Sequence, residues 1–454
     1  MATITVVGAS GSSIPVTVNG GVAFSLAQAY STALSKLTAA GTLFSRTLVV
    51  SGTPPAPVPT GRTGEAFITT AGSYTFPTGY SYLTNGAVGG VRIDASGAAS
   101  ATSVLSSTGG TTLLGGVGGL FIGGGGANVF EGLSSGGGNY VISTADGNDS
   151  IYGNTGNDLI FAGTGSNQIF TGTGNDTVYS SGTDSIVAGS GNSTVALNGS
   201  GSTVFGASGA LRLVDAGTGN TYAGGTGSTL LYDGSSGKYF LAGNSTVIGG
   251  INDTITASGN TEVFGGTNSL VTESGTGTLA FIANPGLSAT VNSASTATVF
   301  GASNANIVYS NSSGLSYLIA ATGNETLNGS GASGSLELFA NGSQTNLLGG
   351  SGADTLVAST GAATLTGGSA TANLFVFSNH AVGGQDVITD FGSAAGNMVG
   401  LFGYGPGAVQ TALAGAVTTA QGGSVVSLSD STTITFTNLT ADQLRAHGSQ
   451  FFST

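Results

Sequence analysis

The chain has 454 residues, with 83 Gly, no Cys and no Trp, and seven Lys and Arg against 20 Asp and Glu leave a formal net charge of −13. Such a chain has no basic stripe to neutralise phosphates, which excludes a nucleic-acid binder; it has no disulfide framework and no run of about 18 apolar residues to cross a membrane as a helix. Glycine at this level also occurs in disordered chains, but here hydrophobic residues make up 39% and fall in register.

The chain divides into four segments, 1–62, 63–110, 111–375 and 376–454. Met1 to Val7 lacks the basic and apolar regions of a cleavable secretory signal. Ile4–Val7 and Ile14–Val18 alternate around Gly8-Ala9-Ser10-Gly11-Ser12-Ser13, which predicts a hairpin. A helix is expected from Ser25 to Ala39, because Leu26, Tyr30, Leu34 and Leu37 share one face and Gly41 stops it. Pro54, Pro55, Pro57 and Pro59 read as a stiff linker. Residues 63–110 read as irregular strands, with Phe67, Tyr74, Phe76, Tyr80 and Tyr82 available to pack. This N-terminal part either caps the first coil of the repeat region or docks on a neighbouring molecule.

From Ile151 a nine-residue beat takes over. Ile151, Ile160, Ile169 and Val178 are followed, after one eight-residue step, by Ile186, Val195, Val204, Leu213, Tyr222, Leu231 and Phe240. The Gly-rich half of each unit must turn sharply, and the other half is a short strand with one side chain pointing inward. Two units make one turn of a flattened solenoid, and stacking the turns builds a thin continuous core. After Phe240 the spacing tightens through Val247, Ile255, Val263 and Leu270, which predicts irregular coils.

Gly153-Asn154-Thr155-Gly156-Asn157-Asp158-Leu159-Ile160-Phe161 and Thr171-Gly172-Thr173-Gly174-Asn175-Asp176-Thr177-Val178-Tyr179 resemble the RTX nonapeptide, Gly-Gly-x-Gly-x-Asp-x-hydrophobic-x. The resemblance is close over 146–187 and decays beyond it. The Asp position reads Asp149, Asp158, Asn167, Asp176 and Asp184, then Ser193, Ser202, Leu211, Asn220, Thr229 and Lys238. It implies an all-β fold, a parallel β-roll or β-solenoid over 111–375, with a small α+β N-terminal module and a β-rich C-terminal cap.

The resemblance also implies calcium, a hard ion that takes six or more oxygens from carboxylates and carbonyls. Candidate ligands are Asp149, Asp158, Asn167, Asp176 and Asp184, with the turn residues Gly147, Gly156, Gly174, Asn157 and Asn175. Units two apart share a site, so Asp158 pairs with Asp176, and Asp149 pairs more weakly with the uncharged Asn167. The alternative is that these side chains only satisfy turn backbone, and it is the better reading for Asp184, Asp253 and Asp354. Farther along, outward Ser and Thr such as Thr177, Thr194 and Thr203 suggest that hydrogen-bonded ladders replace the ion. In a low-calcium cytosol the carboxylates repel and the segment stays unfolded; outside the cell calcium orders it.

RTX-like chains leave the cell through a type I secretion apparatus with an uncleaved C-terminal signal. Gly383-Gly384-Gln385-Asp386-Val387-Ile388-Thr389-Asp390-Phe391 is similar to the segment found after RTX arrays. Enzyme signatures are sparse. His380 and His447 are the only histidines, so there is no HExxH motif, and Gly132-Leu133-Ser134-Ser135-Gly136 matches G-x-S-x-G by composition alone. The expected function is an extracellular protein that assembles with itself into a surface layer, filament or matrix. An adhesin for cell-surface polysaccharide, using Tyr152, Tyr179 and Tyr232, is the alternative, and ice binding through the outward Thr row is a third. Asn192 and Asn244 stand in glycan-acceptor contexts but read more simply as turn residues.

Overall fold

In a computed structural model the chain is all-β, built as a parallel β-solenoid of about 18 stacked coils with few helices. The structure describes residues 2–9, 11, 13–18, 21–50, 54–133, 136–369, 372–379 and 383–454. Two compact units divide it, Met1–Gly237 and Lys238–Thr454.

In the first unit parallel strands form two sheets, and after the consecutive pair Leu43–Thr47 and Thr63–Ile68 each strand pairs with the one two ahead in sequence. One sheet starts with Leu43–Thr47, Thr63–Ile68 and Tyr80–Asn85 and continues in the same sense to Thr229–Tyr232. The other runs from Gly72–Thr75 to Thr221–Ala223. The beat residues Ile151, Ile160, Ile169, Val178, Ile186, Val195, Val204 and Leu213 are fully buried between the sheets. Two expectations need correction. Phe240 is exposed and Tyr239 is buried, and Leu270 is exposed while Val271 is buried. Tyr239 follows Leu231 by eight residues instead of nine, and Val271 follows Val263 by eight instead of seven, so the two shifts run in opposite directions and arise in the turns.

The parallel ladder begins at Leu43, well upstream of 111. Residues 63–110 are not irregular: they pair in register, apart from one bulge between Gly64 and Glu65. The proline segment is likewise no linker, since it belongs to the loop joining the paired strands Leu43–Thr47 and Thr63–Ile68, and Ala56 accepts a hydrogen bond from the Tyr80 hydroxyl at 2.8 Å.

The predicted hairpin is present as β1 (Ala2–Val7) and β2 (Ser13–Val18), antiparallel, with Ser10 and Ser12 of its turn outside the described residues. The helix α1 spans Gly21–Ala39 and starts before Ser25. It buries Ala23, Ala27, Tyr30 and Leu34, and Leu26 and Leu37 are partly buried against the same core. Helix and hairpin cover Phe67, Leu105 and Ile122, which point out of the first sheet, so the module lies along the side of several coils. A buried polar chain ties it down. The Tyr30 hydroxyl donates to Thr84 Oγ1 (3.0 Å), Thr84 donates to Glu65 Oε1 (3.2 Å) and Ser45 donates to Glu65 Oε2 (2.9 Å). Ser45 Oγ in turn accepts the backbone N–H of Ala9 (2.9 Å).

The second unit repeats the plan. Val247, Val263, Phe281, Val299, Leu318, Leu338, Leu356 and Phe375 form one fully buried column. The tightened spacing predicts irregular coils here, but the strands pair in register, and the varying coil length is taken up in the turns. The C-terminal end changes sense: Gln385–Ile388 pairs in parallel with Thr433–Phe436, which pairs antiparallel with Ser424–Ser427. Phe391 packs edge-on against Phe436 and Phe451, with ring centroids 5.4 Å apart in each case, and the His447 ring lies against it at 6.0 Å. His447 is therefore a packing residue of the cap.

Stacking dictates glycine more than turn dihedrals do. A Cβ at Gly174 would lie 1.7 Å from the Gly156 carbonyl oxygen of the preceding coil. Backbone cannot rotate out of the way, so Gly174→Ala must push coils apart. We expect a loss of about 3 kcal/mol, read as a fall in the denaturant midpoint. Gly97→Ala, where a Cβ meets nothing within 4 Å, is the control and should be near neutral; equal losses in both variants would contradict the stacking explanation.

Candidate calcium site

The repeat turns place the predicted acids in stacked columns along the coil edges. Asp149, Asp158, Asn167, Asp176 and Asp184 are all buried. Each gives Oδ1 to a backbone N–H of the coil before it. Asn128 N–H donates to Asp149 (2.7 Å), Tyr140 to Asp158 (2.8 Å), Asp149 to Asn167 (2.9 Å), Asp158 to Asp176 (2.8 Å) and Asn167 to Asp184 (2.9 Å). The expected partners, Asp158 with Asp176 and Asp149 with Asn167, are thus direct neighbours in their columns.

The second oxygens differ. Those of Asp149 and Asp176 are buried and accept no backbone N–H, with only the Thr144 and Thr171 hydroxyls beside the two carboxyls. Asp158 Oδ2 has only a long bond from Asn154 N–H, 3.4 Å. Asp184 is fully engaged: Ser180 donates to Oδ2 at 2.6 Å, and the Asn167 amide adds a second bond to Oδ1 at 2.8 Å. Burial pushes the carboxyls of Asp149, Asp158, Asp176 and Asp184 up, and Asp158 reaches about 6, with the neighbouring charge of Asp176 adding to the effect. No Lys or Arg occurs between 143 and 178 to compensate them.

Asn157 and Asn175 stand one residue away, exposed, in a ladder of opposite sense. Asn157 N–H donates to Asn139 Oδ1 (2.8 Å), Asn175 to Asn157 (2.7 Å) and Asn192 to Asn175 (2.8 Å). Asn192 accepts from Ala210 N–H at 3.1 Å, which fits its reading as a turn residue. The buried backbone of Gly156 and Gly174 lies against the next coil, and Gly147 turns with φ 147°. Where Asp disappears, the ladder persists on neutral oxygens. Asp184 N–H donates to Ser202 Oγ (2.9 Å) and Ser202 N–H to Asn220 Oδ1 (2.7 Å). The same backbone-to-side-chain rungs therefore continue along the turn column, one position before the outward Thr row.

The RTX calcium-binding nonapeptide repeat family matches residues 143–178 and 348–370, in four copies. The chain carries RTX repeats. These repeats are calcium-binding motifs, and the donor set fits a hard cation: buried anionic oxygens without backbone donors, close-packed carbonyls and no soft ligand. Among the described residues no three acidic or His side chains converge on one point, so most oxygens for an RTX-bound calcium must come from backbone. Comparison of the chain with curated proteins and with solved structures finds no match.

The second RTX match contains Asp354, whose oxygens accept from Leu336 N–H (2.8 Å) and Gly350 N–H (2.7 Å). Asp354 thus makes the same two backbone contacts as Asp158, 18 and four residues back, with a shorter second bond. One further acid lies outside the Asp pattern. Asn324-Glu325-Thr326-Leu327 repeats Asn175-Asp176-Thr177-Val178 with a longer acid. Glu325 is buried, its Oε2 accepts Ala321 N–H at 2.7 Å, and burial raises its carboxyl to about 7 against the backbone N–H groups of Ala321 and Ala302. Ser134, Ser135 and His380 lie outside the described residues.

Proposed function

We propose that this chain is a secreted, non-enzymatic structural protein whose RTX coils take up calcium outside the cell and which then assembles with itself into a layer, filament or matrix. The observation that carries the reading is the pair of buried carboxylates of Asp149 and Asp176 in RTX turns, each with one oxygen that accepts no backbone N–H. Without a cation such groups oppose folding, and with one they hold neighbouring coils together. Calcium at Asp149, Asp158, Asn167 and Asp176, with the turn carbonyls of Gly147, Gly156 and Gly174, is the site we favour. Export by a type I apparatus through the C-terminal region accompanies this reading. No helix among the described residues is long and apolar enough to cross a membrane.

The polysaccharide-binding alternative draws less support. Tyr152 and Phe170 are exposed but stack on each other, with centroids 5.2 Å apart and 8° between ring planes, and Phe161 and Tyr179 do the same at 5.1 Å. Each ring thereby gives one face to its neighbour, whereas a sugar platform needs free faces. Negative-stain electron microscopy of the full chain in millimolar calcium and then in chelator tests the proposal. Regular sheets or fibres in calcium alone are expected; dispersed particles in both conditions would overturn self-assembly.

A further inference from the structure

The second unit carries an outward apolar ladder whose members are exposed or half-buried among the described residues. In one sheet the residues Ile248, Phe264, Ile282, Phe300, Ile319, Phe339, Val357 and Val376 stand directly above one another, coil after coil. Ile248, Phe264 and Phe300 are 37%, 37% and 41% exposed. The ladder ends at Gly400. Beside it runs a second outward column, Thr246, Glu262, Ala280, Thr298, Tyr317, Glu337, Thr355 and Leu374, with two charges in eight positions. In the first unit α1 and its hairpin lie over Phe67, Leu105 and Ile122 of an outward column, while Tyr179 and Tyr232 farther along that column stay exposed.

We infer that this face packs against the same face of a second copy of the chain, with the two solenoid axes antiparallel. The inference rests on the self-assembly reading and names its surface. Size permits it. At about 4.8 Å per coil the ladder is roughly 34 Å long, and two outward columns give a width of about 14 Å. Each copy then contributes roughly 480 Å², close to the total of about 1,000 Å² that separates specific interfaces from incidental ones. That is enough for a reversible dimer, which repetition in a lattice strengthens.

The sequence of the ladder selects the orientation. With a two-fold axis between Phe300 and Ile319, Phe300 meets Ile319 of the second copy, Phe264 meets Val357, Ile282 meets Phe339 and Ile248 meets Val376. Every aromatic ring faces an aliphatic side chain. Glu262 then lies opposite Thr355, and Glu337 opposite Ala280, so no like charges meet. Parallel packing, by a two-fold axis along the solenoid, would instead set the apolar ladder on the polar column, with Phe264 opposite Glu262 and Phe339 opposite Glu337, which buries carboxylates against rings.

Sedimentation velocity of the full chain in millimolar calcium over a concentration series tests this. The unaltered protein should show a monomer–dimer or higher equilibrium. F264K and V357E point outward, so they should keep the circular dichroism of the parent while each weakens association at least tenfold. The double variant F264K/V357E should recover association, because the antiparallel pair sets each new ammonium on a new carboxylate. Association indifferent to both single variants overturns this face but leaves self-assembly standing. Weakened singles without recovery in the double overturn the antiparallel register. A protein monomeric throughout overturns the face, and absence of any assembly by microscopy then removes the broader reading as well.

Discussion

Asp176→Asn should stabilise the calcium-free protein and destabilise the calcium-loaded one. The amide keeps the oxygen that accepts Asp158 N–H, and it removes a buried charge whose second oxygen has no backbone donor. Asparagine already fills this slot at Asn167 and Asn220, where Nδ2 donates to Asp184 and to the Gly199 carbonyl. In chelator the variant therefore loses a desolvated charge without losing a rung. In calcium it loses an anionic ligand. A site saturated at 100 to 1,000 times its dissociation constant contributes about 2.7–4 kcal/mol, and most of one site's share should vanish. Asp176→Ala is the contrast: it orphans the Asp158 N–H and should cost about 1–3 kcal/mol in both conditions. Thermal melts of the three proteins, with calcium and with chelator, read all of this. An Asn variant that melts lower than the parent in chelator would show that the carboxylate works as a turn acceptor alone.

The inward beat from Ile151 to Leu213 is legible in the sequence because one unit length repeats and one side chain per unit must be apolar. The Asp column is legible for the same reason. The earlier coils are not, although they obey the same ladder. Their inward residues Ala66, Leu83, Val104, Phe121 and Ile142 pair in register. Their spacing along the chain alternates, however, because loops such as Pro54 to Arg62 vary in length while the strands do not. A solenoid constrains the strand register and leaves the turns free, so a fixed period is sufficient evidence for it but not a necessary one. The calcium site is half legible. Spacing places Asp158 over Asp176, but which oxygens remain free depends on Ser180 and Asn167 lying beside Asp184, and spacing carries no trace of that. Glu325 is hidden because the repeat pattern is keyed on Asp, although its neighbours spell the repeat.

In chelator, stability should fall as pH rises from 5 to 8, the reverse of a protein held by surface ion pairs. Burial raises Glu65, Glu325 and Asp386 to about 7 in the fold, from ordinary values of 4.5, 4.5 and 3.8. The folded state therefore binds more protons than the unfolded chain across this window, and linkage makes the slope negative. Protonation stabilises fully below the unfolded values, and the benefit is lost as pH climbs through about 7. For Glu65 the shift corresponds to at most about 3 kcal/mol, and it acts where the N-terminal module joins the first coils through Ser45, Thr84 and Tyr30. Glu65→Gln removes the titrating group and keeps hydrogen-bonding atoms for Ser45 and Thr84, so its melting temperature should exceed the parent's at pH 8, match it near pH 5, and give a flatter profile between. Because Glu65 belongs to neither RTX match, the same flattening should persist in calcium. A parent whose stability rises with pH in chelator would mean that these acids are ionised and compensated in the fold, and that the Glu65 chain is a charged clamp instead of a neutral one.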